Sequence, residues 1–406
     1  METKATSRAD VTVIGGGITG IVAALRLARS GAHVILADSS LPGAEGKLGG
    51  FARFSGAKFS LPPAGLGLVP VAGSRERLTA VIEEVLALLG MSAPQTALSI
   101  DAQLSNHRSA TLRRYESIVL TPSQIEELLG RLERKLRAAR VQVLYGSAKR
   151  LRKNGDRWET TLELTSDGGP PNKECVTSDA VFFAAGRLAE DVMQEAGAEP
   201  TEGKGLDVGL RLEFEDLAAL RGLRTLGPDA KILEGACRTF CLNSPGKIYY
   251  YPCGSLQLPG GVVADPSVLG GNVGVLMRVC DKQSRLAEIM DAATPRSTEL
   301  FAVGTQIRRG AGLPLPDLVD KIFGHEAART LSDFCQMLHE RGLVDLSTSH
   351  RIHMPLLDWH WPTWAKPSSH RTSLDNIFAL GDSAGHARGL LQGALSGWLA
   401  AEEFLC

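Results

Sequence analysis

Gly15, Gly17 and Gly20, followed 23 positions after Gly15 by Asp38, form the first group of residues whose spacing could do chemistry. At a turn between a strand and a helix, Gly15 permits the tight bend and Gly17 lets the main chain approach a pyrophosphate. Gly20 lets the helix lie close to the sheet. The unpaired N–H groups at the helix start, with the positive end of its dipole, then hold phosphate oxygens. An acid at about this distance accepts from a ribose hydroxyl and disfavours a 2′-phosphate, so the expected adenosine is that of FAD or NAD rather than NADP.

A second group lies near the C-terminus, where Gly381-Asp382 opens a glycine-rich loop that ends at Gly389. Asp382 is placed to accept from the hydroxyls of a ribityl chain, while loop N–H groups meet a phosphate and the next helix points its start at a pyrimidine edge. Gln392 and Gly393 in that helix join the expected cofactor set. So do Ala185 and Gly186, which end the apolar run 180–187, and Gly49 and Gly50 in the glycine-rich stretch 41–67. Phe51, Phe54, Phe59 and Leu61 make that stretch a wall of the cofactor site rather than a loose loop.

These residues need particular elements to hold them. An apolar run at 11–14, a helix over 21–29 and a strand over 33–37 give the strand, turn, helix, strand and acid of a dinucleotide-binding unit. Residues 75–89 carry a helical apolar stripe, and Thr121-Pro122-Ser123-Gln124 opens another that runs to about residue 140. A strand at 141–145, alternating runs at 158–164 and 175–177 and a turn at 167–171 read as a β-meander. A return strand, 180–187, then follows it. From 188 to 371 short β-rich runs at 209–214, 239–242, 247–251 and 272–279 alternate with helices near 266–269, 282–292 and 326–341. Pro355, Pro362 and Pro367, with Trp359, Trp361 and Trp364, mark an irregular return. The strand 376–380 precedes a last helix, 390–404, whose Gly393, Ala394, Ser396, Gly397 and Ala400 are expected to meet the sheet.

The expected fold is α/β: a Rossmann-like FAD-binding domain with an inserted β-meander, plus a mixed α+β substrate domain. The FAD-binding domain takes residues 1–72, 117–187 and 372–406, with a substrate or cap segment at 73–116 and the substrate domain at 188–371.

The glycine turn, VFFAAGR at 181–187 and NIFALGDSAG at 376–385 resemble, in order and spacing, the three FAD signatures of the glutathione-reductase-type flavoproteins. GGFARFSGAKFSL at 49–61, VGLRLEF at 208–214, CRTFCLNSPGKI at 237–248 and GDSAGHARGLLQGALSG at 381–397 are similar to the FAD-dependent dehydrogenases sometimes called NAD(FAD)-utilizing dehydrogenases. Asp38 stands where many relatives carry Glu, and no second GxGxxG follows a strand, so no separate nicotinamide domain is expected. The resemblance implies FAD as cofactor and names no substrate.

The expected activity is hydride transfer between flavin N5 and a small organic substrate, a carboxylate or an amine. Oxygen insertion by a monooxygenase is one alternative, and a structural flavin in an interaction scaffold is another. Candidate catalytic side chains are Lys58, Arg238, Cys241, Tyr250, His386 and Arg388. The cations would orient a carboxylate, and His386 or Tyr250 would move a proton. The electron partner is open.

The 406 residues, 44% of them hydrophobic, suffice for two cores. A net charge of −1 and a pI near 6.8 give no reason to expect nucleic acid or an anionic membrane. A polar N-terminus and the lack of a long apolar run predict a cytoplasmic protein without a membrane span. Seven cysteines, none in a CxxC pair, are expected to be reduced and structural apart from Cys241, and no metal site is expected.

Overall fold

The computed structural model describes residues 5–40, 46–55, 57–92, 104–107, 110–165, 172–187, 190–201, 205–253, 255–279, 283–309, 317–359 and 361–406. Strand β1, Ala5–Ile14, runs directly into the glycine turn, and helix α1, Ile18–Arg29, follows. The helix starts at Ile18, earlier than expected, because Gly17 takes the capping position in an extended conformation. Strand β2, Val34–Asp38, is buried at all five positions, as a parallel strand covered on both faces must be.

These elements build a parallel sheet in the spatial order Ile377–Ala379, Asn172–Phe183, β1, β2 and Gln142–Asn154. The chain steps from β1 to one side and later returns on its other side, which makes the carboxyl end of β1 a topological switch point. The runs 175–177 and 180–187, expected as two strands, are one: Asn172–Phe183 pairs antiparallel with Arg157–Leu164 at its start and parallel with β1 further on. The meander is therefore a prolongation of two strands of the parallel sheet. Its expected turn at 167–171 lies outside the described residues, as do Gly43 and Gly56 of the glycine-rich stretch.

A second sheet of seven strands is mainly antiparallel. Its order is His350–Trp359, Leu206–Phe214, Gly271–Val279, Cys237–Asn243, Lys231–Glu234, Ala110–Arg113 and Leu104–His107. Helices Gln283–Ala293, Ser297–Thr305, Asp317–Phe323 and His325–Glu340 accompany it, and Leu210, Leu212, Val273, Val275, Leu331 and Leu338 are fully buried in its core. Residues 266–269 form a turn rather than a helix, with Val268 N–H donating to Asp265 O at 2.9 Å; so short a run cannot repay helix nucleation. Pro355 is not in an irregular return but inside His350–Trp359, the sheet's edge strand, where a missing N–H is tolerated.

The segment 73–116 is divided between the two halves. Helix Arg75–Leu89 buries Leu78, Val81, Ile82, Val85 and Leu88 in the core of the parallel sheet, whereas the paired strands Leu104–His107 and Ala110–Arg113 extend the second sheet. Helix Pro122–Ala138 begins with a full capping box between Thr121 and Gln124. Among the described residues no helix is long and apolar enough to cross a membrane.

The last helix, Leu390–Leu405, puts its small residues against α1, not against the sheet. A Cβ on Gly397 would fall 2.2 Å from Thr19 O, and one on Gly393 would fall 2.5 Å from Thr19 Oγ1. Gly397→Ala gains about 1 kcal/mol of helix propensity but must push a pair of buried helices apart, so we expect a net loss of about 1–3 kcal/mol. Urea denaturation checks this, and a raised midpoint would show that the helices can separate freely.

Candidate functional site

A cavity of about 850 Å³ opens at the carboxyl ends of the parallel strands, within the range of about 300–1,000 Å³ common for cofactor sites. At one end is the glycine turn. Gly15 has φ +106°, and a Cβ there would lie 2.4 Å from Ala184 O, on the neighbouring strand's exit. A Cβ on Gly20 would lie 1.9 Å from Gly15 O, so this glycine lets α1 close on the turn itself. Gly17 lines the cavity, and nothing lies within 4 Å of where its Cβ would be. Asp38 accepts from Gly16 N–H at 2.7 Å and Ser40 N–H at 3.2 Å. Burial pushes its carboxyl above the ordinary value, although both N–H groups pull the other way.

The wall expected from glycines is present: Gly49, Gly50, Ala52, Ser55, Ala57, Lys58 and Gly65 line the cavity, and Gly49 N–H donates to Gly16 O at 2.8 Å. Ala185, Gly186, Asp382, Gly389, Gln392 and Gly393 line it too, while Gly20 and Gly381 support it from behind. Gln392 donates to Ser60 O at 2.9 Å, leaving its buried Oε1 without a partner among the described residues.

The residues present fit a dinucleotide cofactor. The turn is open at Gly17, α1 starts without a side-chain cap, acids stand at Asp38 and Asp382, and one cavity joins all of them.

Sequence reasoning names Arg238 and Arg388 but misses the acid that joins them into a charged hub. Asp358, from the edge strand of the second sheet, accepts from Arg388 Nη1 at 3.0 and 3.1 Å and from Arg238 Nη2 at 3.3 Å, and lies 3.5 Å from Arg187 Nη2. Burial alone would raise its pKa, but Arg388, Arg187 and Arg238 outweigh burial and hold it low. Trp361 packs under two of the cations, with Arg187 Cζ at 3.8 Å and Arg388 Cζ at 4.0 Å from the ring centre, and donates to Asp382 O at 2.9 Å. The one available signal was the run of arginine and tryptophan near the flanking motifs. Nothing local marked Asp358. The expected domain-packing role also fits Trp364, which is buried in the core; the Trp359 side chain lies outside the described residues.

Of the six candidate catalytic residues, Lys58, Cys241 and Arg388 line the cavity. Lys58 Nζ donates to Leu242 O and lies 3.8 Å from Asp229, and burial lowers its pKa. The other three are not among its lining residues. Arg238 is drawn to Asp207 and Asp358, whose carboxylates take its guanidinium. Tyr250 is hydrogen-bonded to His353 Nδ1 at 2.5 Å, and His353 Nε2 reaches Glu213 at 3.0 Å; burial and Glu213 push the phenol up to about 12. His386 is held by Lys366 O at 2.9 Å and packs edge to face on His370. Cys175, Cys237 and Cys335 are buried, and burial raises all three thiols.

The fold is thus a Rossmann-like domain joined to an α+β domain, with the cavity at the seam. No family model and no curated protein sequence matches the chain. Solved structures similar to it include an anhydrotetracycline hydroxylase from Streptomyces rimosus, at 15% identity and TM-score 0.44 over 98% of this chain and 63% of that one. This chain therefore spans less than two thirds of that protein. A p-nitrophenol 4-monooxygenase from Pseudomonas putida is similar at 14% identity and TM-score 0.47, over 98% of this chain and 79% of that one. A flavoprotein/dehydrogenase from Cytophaga hutchinsonii is similar at 14% identity and TM-score 0.45, again over 98% and 79%. At these scores the reading of the site rests on its own geometry.

Asp358→Asn removes the buried carboxylate that Arg388, Arg187 and Arg238 share, leaving Arg187 with Asp382 and Arg238 with Asp207, and should cost about 1–3 kcal/mol at pH 7. The arginines favour the carboxylate in the fold and not in the unfolded chain. The stabilisation is therefore complete above the unfolded value of about 3.9 and fades as pH falls through the lower folded value. Denaturant midpoints at pH 7 and pH 3 should show the gap between variant and wild type narrowing in acid. A gap that stays constant would refute the hub.

Proposed function

We propose that this protein is an FAD-dependent oxidoreductase that exchanges a hydride with a small organic molecule, a carboxylate or an amine. The observation that carries this reading is the continuity of one cavity from Gly15, Gly17 and Asp38 to Asp382, Cys241, Lys58 and Arg388. The order of the three motifs supports placing it among flavoproteins of the glutathione-reductase type, near the NAD(FAD)-utilizing dehydrogenases.

FAD, when bound, supplies two-electron chemistry at its ring. The chain supplies everything else. Glycine-turn N–H groups and the α1 start would hold the pyrophosphate, and Asp38 would accept from the adenosine ribose. Asp382 would accept from the ribityl hydroxyls. Lys58 and Arg388, which line the same cavity, would orient the substrate by charge, and Gly49, Gly50, Ala52, Ser55 and Ala57 would keep water out.

The purified protein should be yellow and release FAD rather than FMN on denaturation, since the Asp38 end has no use for FMN. Asp382→Ala should weaken retention by about 1.5–3 kcal/mol, roughly 10- to 150-fold in affinity. A colourless protein from riboflavin-supplied cells would sink the reading.

Lys58→Met and Arg388→Met should slow anaerobic bleaching of the flavin by substrate while FAD stays bound, because each removes a charge and keeps much of the bulk. Rates equal to wild type in both variants would remove these residues from the reaction. The same assay, run over a metabolite panel with NADH and NADPH, separates the dehydrogenase from its rivals. A monooxygenase is reduced by a nicotinamide and then consumes oxygen with substrate, and a structural flavin bleaches with nothing.

A further inference from the structure

The region of the cavity bounded by the second sheet holds more positive than negative charge. Lys58, Lys231 and Asp229 line it. Asp229 is already engaged, with Oδ1 at 3.8 Å from Lys58 Nζ and Oδ2 accepting from Ser60 Oγ at 2.9 Å. Behind Cys241 stands Arg211, 1% exposed, donating to Cys241 O at 3.1 Å, Asn272 Oδ1 at 2.7 Å and Pro259 O at 3.4 Å. Among the described residues no carboxylate lies within 4 Å of Arg211 or of Lys231. Burial lowers the pKa of Arg211 and of Lys58, and for Lys58 it outweighs the opposing pull of Asp229.

The imbalance is local. Elsewhere in the cavity Arg187 and Arg388 are matched by Asp358 and Asp382. A buried cation short of an anion is costly unless a ligand brings the anion with it. The neighbouring surface says what else that ligand carries. Lys231 Nζ lies 5.4 Å from the centre of the Tyr115 ring, and Tyr115 and Phe240 both line the cavity. Aromatic walls beside a cation suit a flat, apolar body that ends in a negative charge.

We propose that the substrate is an organic carboxylate with a planar apolar body, its carboxylate taken by Lys231 with Lys58, and its body lying against Tyr115 and Phe240. This rests on the flavoenzyme reading for its chemistry, though not for its binding. It selects the carboxylate over the amine, because an amine would add a fourth cation to a region where one carboxylate, Asp229, faces three.

The test is calorimetric titration of the protein as purified with three probes of one shape: benzoate, benzamide and benzylamine. Flavin absorbance is recorded alongside. Benzoate should bind at least about tenfold more tightly than either of the others. Lys231→Met should abolish that preference without changing flavin content, and Lys231→Arg, which keeps the charge, should retain it. The comparison of probes on wild type stands without any variant, so a misfolded Lys231→Met leaves it decisive. Equal affinities, no benzoate binding at millimolar concentration, or an unchanged preference in folded Lys231→Met would each overturn the proposal. A benzoate preference in a colourless protein would uphold the anion site and refute the flavin, whereas a yellow protein without the preference would do the reverse.

Discussion

The carbonyl of Gly15 sets the geometry on which the cavity depends. It lies where a side chain on residue 20 would begin, 1.9 Å from that Cβ position, so the first turn of α1 rests on the bend that leaves β1. Gly15 N–H donates to Ala37 O at 2.8 Å and Gly16 N–H to Asp38 at 2.7 Å, which binds the bend to the end of β2. On the other side Ala184 N–H donates to Ile14 O at 2.7 Å. Three strand ends are thereby fixed around one point, and the start of α1 is left facing the cavity with no side chain over it. The C-terminal helix follows from this, since it can approach α1 closely only through Gly393 and Gly397.

The second sheet is held to this frame by charge as much as by packing. Asp358 from its edge strand meets Arg388 of the loop before the last helix and Arg187 beyond the strand Asn172–Phe183. Asp207 and Arg238 continue the network into the sheet, where Arg278 also pairs with Asp207. A buried Asp with three arginines around it is a high-stakes arrangement, because removing the anion leaves several like charges together. The same arrangement fixes the two guanidinium groups that line the cavity against Trp361, so the joint between domains and the shape of the site are one structure.

Much of this was legible in the sequence because it is encoded locally. The glycine turn, Asp38, the Arg75–Leu89 stripe and the Thr121 capping box each depend on residues within a few positions of one another, and periodicity or spacing exposes them. Strand Asn172–Phe183 was divided wrongly because Ser178 and Asp179 interrupt its apolar pattern, although Ser178 is buried and its hydroxyl is satisfied by Ala180 O at 2.9 Å. Pro355 misled for a related reason: whether a proline breaks a strand depends on whether that strand lies at an edge, and edges are set by the whole sheet. Tyr250, His386 and Arg238 stand out in the sequence by their chemistry and by the motifs near them. Their directions are set by partners far along the chain, His353, Lys366 and Asp207, which no spacing could reveal.

The cavity's second wall shows how a regular sheet is made to present irregular chemistry. Strand Cys237–Asn243 pairs with Gly271–Val279 in register as far as Phe240, then shifts before Asn243. At that irregularity Cys241 adopts φ +42°, a conformation unfavourable for a residue with a side chain. Two donors hold it there, since Cys241 O accepts from Arg211 at 3.1 Å and from Asn243 at 3.0 Å, and the next carbonyl, Leu242 O, accepts from Lys58. In an unbroken strand neighbouring side chains point to opposite faces, and Phe240 and Cys241 could not both line one cavity. Here they do, and the side chain that grips the neighbouring carbonyl comes from the distant strand Lys58–Ser60. The buried Arg211 is therefore accounted for twice, as the support of a strained turn and as a source of the positive field behind it, and the two roles require the same position.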